Sequence, residues 1–386
     1  MPLTPRERFR LKISLAQKYQ QPDAARQVAT VAGINTLSIP FNGTPPIDLW
    51  EKIILKAEKS NRLLPLVKQV ATQHPDDTEY PDWLRELETG IPERLRKLAQ
   101  SIRDGHCLLF LGPGTLLCEV QEADGGPLQT TTFNRAFAKA LASDMQQQNI
   151  YYDEREASNL AYIAQRYSDL TQNIPGMQAK LAQEFYETCQ PDTRLYEQLA
   201  QLPFRIVINT NPDNELATLL NQQTPGRCVH RYYSLANAQD GLPPAGPRPL
   251  EPGQLLLYNI FGWFGDRPSM ILTESQLLDF TNRILNRNPA LDPQVMEEFT
   301  AGENSPKSYL FLGFDFDQWY VKIVFQTVLK LIKQKDRAFS IFPKGLDYKQ
   351  FNREFFEEEF KCYFIDDDLG LFLRSLQAEY EQLPMP

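Results

Sequence analysis

The run Cys107 to Leu117, CLLFLGPGTLL, constrains the fold more than any other stretch of the chain. Its apolar half shows no polar alternation, the pattern of a strand buried on both faces in a parallel sheet. It stops abruptly at Gly112-Pro113-Gly114-Thr115. Glycines at the end of a first strand let backbone amides approach a diphosphate with no side chain in the way, which points to a nucleotide. The third glycine of the longer dinucleotide fingerprint is missing, and two glycines in a strand-to-helix turn also serve simply as a turn. Both readings stay open.

Around this strand, apolar runs and helical periods alternate. Strands are expected at Arg205–Ile208, Val229–Tyr233, Leu255–Ile260, Tyr309–Leu312, Ala338–Phe342 and Cys362–Ile365. Helices are expected at Pro92–Arg103, Phe133–Met145, Ala157–Leu170, Glu215–Leu220, Glu274–Ile284 and Trp319–Lys333, and from Leu369 onward. Such alternation predicts an α/β fold with a mostly parallel, Rossmann-like sheet flanked by helices on both faces. The Pro-rich stretch Gly241–Gly253 reads as an exposed loop.

The first 80 residues read differently. Thr4-Pro5 starts a helix carrying Phe9, Leu11, Ile13, Leu15, Ala16 and Tyr19, and a second runs from Asp23 to Val31 and stops at Gly33. Pro45-Pro46 opens a third, whose Leu49, Trp50, Ile53, Ile54 and Ala57 keep the i, i+3, i+4 spacing. The fourth holds Leu63, Leu64, Leu66, Val67 and Val70 before His74-Pro75. Short amphipathic helices are stable only packed on one another, so a small all-α domain is expected at 1–80. The polar stretch that follows gives a linker at 81–91 and a second domain at 92–386.

Composition narrows the function. A chain of 386 residues with 42% hydrophobic residues builds a core of its own. No apolar run approaches the roughly 20 residues of a membrane span. MPLTPRERFRLK has no apolar core of a signal peptide, so the expectation is a cytoplasmic protein with no membrane partner. A net charge of −9 argues against a broad nucleic-acid surface. The 5 cysteines form no C-x-x-C pair, so neither a disulfide framework nor a metal site is indicated, and buried inert thiols are expected.

In an open parallel sheet, ligands bind beyond the carboxyl ends of the strands. The residues there are Asn209-Thr210-Asn211-Pro212-Asp213, Phe261-Gly262 and Gly313-Phe314-Asp315-Phe316-Asp317. Asn211 and Asp213 also suit an Asx turn capping the next helix, and Asp315 and Asp317 suit N-caps before Trp319. Thr273-Glu274-Ser275 suits a cap in the same way.

Two resemblances follow from these blocks. RQVATVAGI and PFNGTPPIDLWEKIILKAEKSNRLLPLVKQVATQHPDD resemble the effector-associated domain of type one, a small death-like helical adaptor of modular prokaryotic conflict systems, over roughly residues 3–78. That implies contact with another protein, homotypic in kind, and homo-oligomers. GHCLLFLGPGTLL, FRIVINTNPDNELATLL, LYNIFGWFGDRPSMILTESQLLDF, YLFLGFDFDQWYVKIVF and CYFIDDDLGLFLRSL resemble the sirtuin-like domains of prokaryotic defence proteins, over residues 92 to about 378. That implies an NAD- or ADP-ribose-like nucleotide. By the resemblance, Gly112, Gly114 and Thr115 face its diphosphate, Asn211 and Asp213 lie near the nicotinamide ribose, and Gly313 and Asp315 close over the nucleotide.

The departures bear on chemistry. Where that family carries its histidine, this chain has Phe261, and a phenyl ring neither accepts nor donates a proton. Pro113 between the glycines lacks an N–H, and Leu116 replaces a serine. The zinc ribbon of deacetylating sirtuins is absent. Among His74, His106 and His230, the first belongs to the helical domain and the other two are expected at amino ends of strands. Two functions remain. One is an NAD-hydrolysing effector, with Asn211 and Asp213 as its catalytic residues. The other, favoured by Phe261, is a nucleotide-binding module coupled to a protein adaptor and impaired in catalysis.

Overall fold

Apolar runs without alternation form the sheet, and helical periods form the layers around it. The computed structural model describes residues 5–60, 62–75, 77, 80, 84, 94–120, 129–187, 190–235, 249–287, 290–300, 308–315, 318–319, 321–322, 337–342, 356, 362–366 and 368–384. The chain divides into two compact units, Met1–Leu98 with Gln382–Pro386, and Ala99–Glu381. The linker expected at 81–91 lies outside the described residues except for Leu84.

In the first unit, helices α1 (Pro5–Lys18), α2 (Pro22–Val31), α3 (Pro46–Lys59) and α4 (Leu63–Gln73) pack around Leu11, Leu15, Val28, Trp50, Ile53 and Val67. Proline at the first position of α2 and α3 gives up an N–H that has no intrahelical partner there. Trp50 is fully buried, its ring 5.5 Å from that of Tyr19, and its Nε1 donates to the Tyr19 carbonyl at 3.5 Å. Tyr19 in turn donates its hydroxyl to Gln73 at 2.6 Å, and burial pushes its pKa up to about 12. Phe9, grouped with the apolar residues of α1 by sequence, is 54% exposed, because the buried face of α1 runs through Leu11, Ser14 and Leu15.

The second unit holds a seven-stranded, all-parallel sheet in the order β10-β9-β8-β1-β5-β7-β6. Its strands are β1 (Cys107–Leu111), β5 (Ile206–Asn209), β6 (Cys228–Tyr232), β7 (Leu255–Asn259), β8 (Ser308–Leu312), β9 (Arg337–Phe342) and β10 (Cys362–Asp366). All five residues of β1 are buried, as its unbroken apolar run predicts for an interior parallel strand. One face of the sheet carries Phe110, Tyr258, Tyr309 and Phe311, packed on Phe280 of α11 (Glu274–Asn286) and Phe299 of α12 (Pro293–Thr300). Strand order places β5 on one side of β1 and β8 on the other. Their connections leave in opposite directions, the arrangement that opens a crevice at the carboxyl ends.

The sequence reading passes over several elements. A small antiparallel sheet, β3-β2-β4, joins Leu117–Val120 with Gln129–Thr132 and Gln190–Pro191. Its strands are too short and too polar to show a period. Helices α8 (Ile174–Glu187) and α9 (Arg194–Leu199), with α12, were likewise absent from that reading. Helix α7 begins at Leu160 rather than Ala157, because Asn159 caps it by accepting the Tyr162 amide. Most of the helix expected at Trp319–Lys333, and residues 241–248 of the Pro-rich loop, lie outside the described residues. Cys107, Cys118, Cys228 and Cys362 are buried, and Cys189 lies outside the described residues. Among the described residues no helix is long and apolar enough to cross a membrane.

Truncating Trp50→Ala removes the ring around which the first unit packs. The expected loss is about 3–5 kcal/mol, read as an earlier transition of the helical signal of that unit in urea denaturation of the full chain.

Candidate functional site

Two glycine turns meet at the carboxyl end of the sheet. After β1 the chain turns through Gly112 and the short 3-10 segment Pro113–Thr115, and after β8 it turns through Gly313 at φ +71°. The amide of Gly112 donates to the Leu312 carbonyl at 2.8 Å, that of Gly114 to Gly313 at 2.7 Å, and that of Thr115 back to Gly112 at 3.0 Å. A Cβ on Gly112 would lie 2.5 Å from the Gly313 carbonyl oxygen, one on Gly114 2.9 Å from the Gly313 Cα, and one on Gly313 2.7 Å from the Thr115 nitrogen. Glycine is required here because two backbones touch. With Pro113 lacking an N–H, the amides of Gly112, Gly114 and Thr115 are all engaged in holding the turns together, and none is left to cradle a phosphate.

The segment after β5 supports this knot from the side. Asn211 donates its amide to the Gly112 carbonyl at 3.0 Å and to the Thr115 hydroxyl at 3.1 Å, and its Oδ1 is buried without a partner among the described residues. Asn209 forms an Asx turn by accepting the Asn211 amide at 3.0 Å, and Asp213 forms the next by accepting the Glu215 amide at 3.1 Å, where α10 (Glu215–Gln223) starts. Asp213 is 1% exposed. Its carboxylate also accepts from the Tyr196 hydroxyl at 3.2 Å and from Asn209 at 3.3 Å, and its carbonyl accepts from Asn259 at 2.7 Å. Burial raises its pKa, and the hydrogen bonds from Glu215, Asn209 and Tyr196 pull it back.

Two spaces open beside the knot. One is a cleft of about 1060 Å³ whose wall includes Pro113, Gly114, Gly313 and Asp315 from the two turns, with Thr130–Thr132, Gln198 and Asp368. Arg135, Arg155, Arg194 and Arg374 line it too. Arg194 is held by Asp192 at 2.6 Å and Arg155 by Asp153 at 2.7 Å, so the cleft is of mixed sign. Asp315 accepts from the Gln318 side chain at 3.2 Å, and the Gln318 amide donates to the Asp315 main-chain carbonyl at 3.3 Å. The other space is an apolar cavity of about 60 Å³ lined by Phe110, Pro212, Ile260, Phe261 and Phe314, among others, with no ionisable side chain among the described residues of its wall. Phe261 is half-buried, its ring edge-to-face on Phe280 at 5.2 Å. The loop behind it is strapped down, because a Cβ on Gly262, at φ +87°, would lie 2.3 Å from the Ser269 carbonyl oxygen.

The structure thus joins Gly112, Gly114, Thr115, Asn211 and Gly313 in one contact and sets Asp315 on the cleft wall. Asp213 lies in a separate buried network, and neither it nor Asn211 lines the cleft or the cavity. The threonines of β3 and the arginines around the cleft were not read from the sequence. The only available signal was the run Gln129-Thr130-Thr131-Thr132 directly before an N-capped helix.

His106 immediately precedes β1, at the end of the sheet opposite the glycine knot, as expected. His230 does not start its strand. It pairs in register with Leu257 in mid-β6, and its ring lies 5.1 Å from Trp263, in the loop beyond the carboxyl end of β7. Burial pulls its pKa down to about 4, and the nearby Asn259 amide opposes this only in part. The nitrogen Nε2 of His230, Oδ1 of Asn259 and Nε1 of Trp263 are all buried short of hydrogen-bond geometry with any described partner. Among the described residues no group of three or more His, Cys, Asp or Glu side chains could hold a metal ion.

Two family models match the chain. A SIR2-like domain is matched over residues 205–366, from the start of β5 to the end of β10, and an effector-associated domain 1 over residues 1–88. The Gly112–Thr115 turn precedes the SIR2-like span. No curated protein matches the chain.

Two measurements test this geometry. Gly313→Ala and Gly105→Ala both place a side chain at positive φ (+71° and +69°), but only the first meets backbone, since nothing lies within 4 Å of a Cβ on Gly105. Denaturation should show a loss of about 1–2 kcal/mol for Gly105→Ala and a further loss of about 1–3 kcal/mol for Gly313→Ala. The neutral His230 sets a pH dependence. Its folded pKa lies below the ordinary value of about 6.5, so its contribution is whole above that pH. It is lost as pH falls towards about 4, because the unfolded chain takes up the proton first. Urea denaturation across that window should lose on the order of 2–3 kcal/mol in the wild type, a component missing from His230→Gln.

Proposed function

We propose that this chain, an effector-associated domain 1 joined to a SIR2-like domain, is a nucleotide-binding module of a prokaryotic conflict system that hydrolyses NAD poorly. The pairing of the two domains supports a conflict-system module, and SIR2-like domains as a class bind NAD-related nucleotides. The N-terminal domain docks another protein, homotypically, and assembles the chain into homo-oligomers. The SIR2-like domain holds an NAD- or ADP-ribose-type nucleotide in the cleft at the glycine knot.

The residues present fit such a ligand in part. The cleft is large enough for a nucleotide, since ligand sites run to roughly 300–1,000 Å³. With the amides of Gly112, Gly114 and Thr115 engaged, side chains take over anion recognition, and Arg135 and Arg374 on the cleft wall have the donors for it. Gly313 brings the second turn against the first, and Asp315 beside it offers a carboxylate to ribose hydroxyls. Asn211 and Asp213 act behind the site. Asn211 holds the knot closed, and Asp213 fixes the ends of β5 and β7.

The observation that carries the catalytic reading is the wall of the apolar cavity, where Phe261 lies and none of the described side chains can take a proton. Cleaving the glycosidic bond of NAD develops positive charge at the ribose, and a general base that engages the attacking hydroxyl or water typically contributes about 100- to 10,000-fold. Asp213 is buried among hydrogen-bond donors and does not supply it. Asp315 on the cleft wall favours the second reading, an active NAD-hydrolysing effector with this carboxylate as base. Nicotinamide release from NAD decides between them. The expected result is turnover near background in the wild type and a gain in Phe261→His. Fast wild-type turnover abolished by Asp315→Asn would establish the effector instead.

A further inference from the structure

The polar cleft and the apolar cavity adjoin, because Pro113, Asn134, Leu160, Phe314 and Val321 line both. A nucleotide lying in the cleft meets the cavity with whatever group it carries at its far end. The cavity measures about 60 Å³, whereas a cavity of about 150 Å³ is what holds a benzene ring. A nicotinamide ring enters only if the wall moves. Two of the rings that would have to move are tied edge-to-face to others, Phe261 to Phe280 at 5.2 Å and Phe314 to Phe311 at 5.9 Å.

Charge adds to size. The nicotinamide of oxidised NAD is a cation, and burying a cation is unfavourable unless an opposite charge or hydrogen bonds replace its water. Among the described residues of the cavity wall, the only polar side chains are those of Asn134 and Thr210, and the Thr210 hydroxyl already donates to the Leu111 carbonyl at 2.8 Å. Phenyl faces attract a cation, but that attraction recovers only part of the lost hydration. The bare ribose of ADP-ribose meets neither obstacle and leaves the cavity untouched.

We propose that the nucleotide this space selects ends in a neutral group, with ADP-ribose as its type, and that oxidised NAD is discriminated against at the Phe261 wall. The inference rests on the nucleotide-binding reading above and makes the module a receptor for the nicotinamide-free nucleotide. Calorimetric titration of the full chain with ADP-ribose, oxidised NAD, reduced NADH and free nicotinamide tests it. ADP-ribose should bind at least about tenfold more tightly than oxidised NAD, and nicotinamide alone should give no heat. NADH has the same ring without the charge, so Phe261→Ala, which enlarges the cavity, should strengthen NADH more than oxidised NAD. Oxidised NAD binding as tightly as ADP-ribose to the wild type overturns the inference and leaves the nucleotide reading standing. Binding of none of the nucleotides overturns the nucleotide reading and this inference together. The wild-type comparison decides the matter even if Phe261→Ala fails to fold.

Discussion

The contact between Gly114 and Gly313 sets the spacing on which the carboxyl end of the sheet depends. Two backbones approach until the Gly114 amide donates to the Gly313 carbonyl at 2.7 Å, a distance that any side chain at either position would prevent. The two turns are therefore joined main chain to main chain. Asn211 reinforces the contact from the segment after β5, and Thr115 completes it by donating its hydroxyl to the Gly112 carbonyl at 2.8 Å.

A second network holds the neighbouring strand ends. Asp213 ties Tyr196, Asn209 and the start of α10 through one buried carboxyl group, and holds Asn259 through its main-chain carbonyl. Such a group is costly to bury alone and acceptable only when every oxygen finds a donor, which is why so many amides converge on it. The three unpartnered atoms of His230, Asn259 and Trp263 border this network on the side of the edge strand β6. The carboxylate at this place in the sequence lies buried within the network and lines neither the cleft nor the cavity.

The two units combine complementary physics. The first packs short helices around the fully buried ring of Trp50. The second sets an apolar cavity and a mixed-charge cleft against one set of turns.

Much of the fold was legible from local pattern. The unbroken runs of β1, β5, β7 and β8 and the apolar stripes of α3 and α4 announce themselves, because burial of a strand or helix face is written in the residues that form it. The glycine positions and the Asn211 and Asp213 block were legible as important, but not as to purpose. Whether an amide faces a phosphate or another turn depends on β8, which lies about two hundred residues away from β1 in the chain. The sheet β3-β2-β4 escaped because its strands are short, polar and paired across sequence gaps. His230 was misplaced because register, not distance from a turn, decides where a strand residue lies. Local pattern suffices for the two kinds of domain, the central strand and the phenyl group at 261. What the glycines touch, which groups line the cleft and which carboxylates lie apart from it are set by contacts between distant segments, which no local period records.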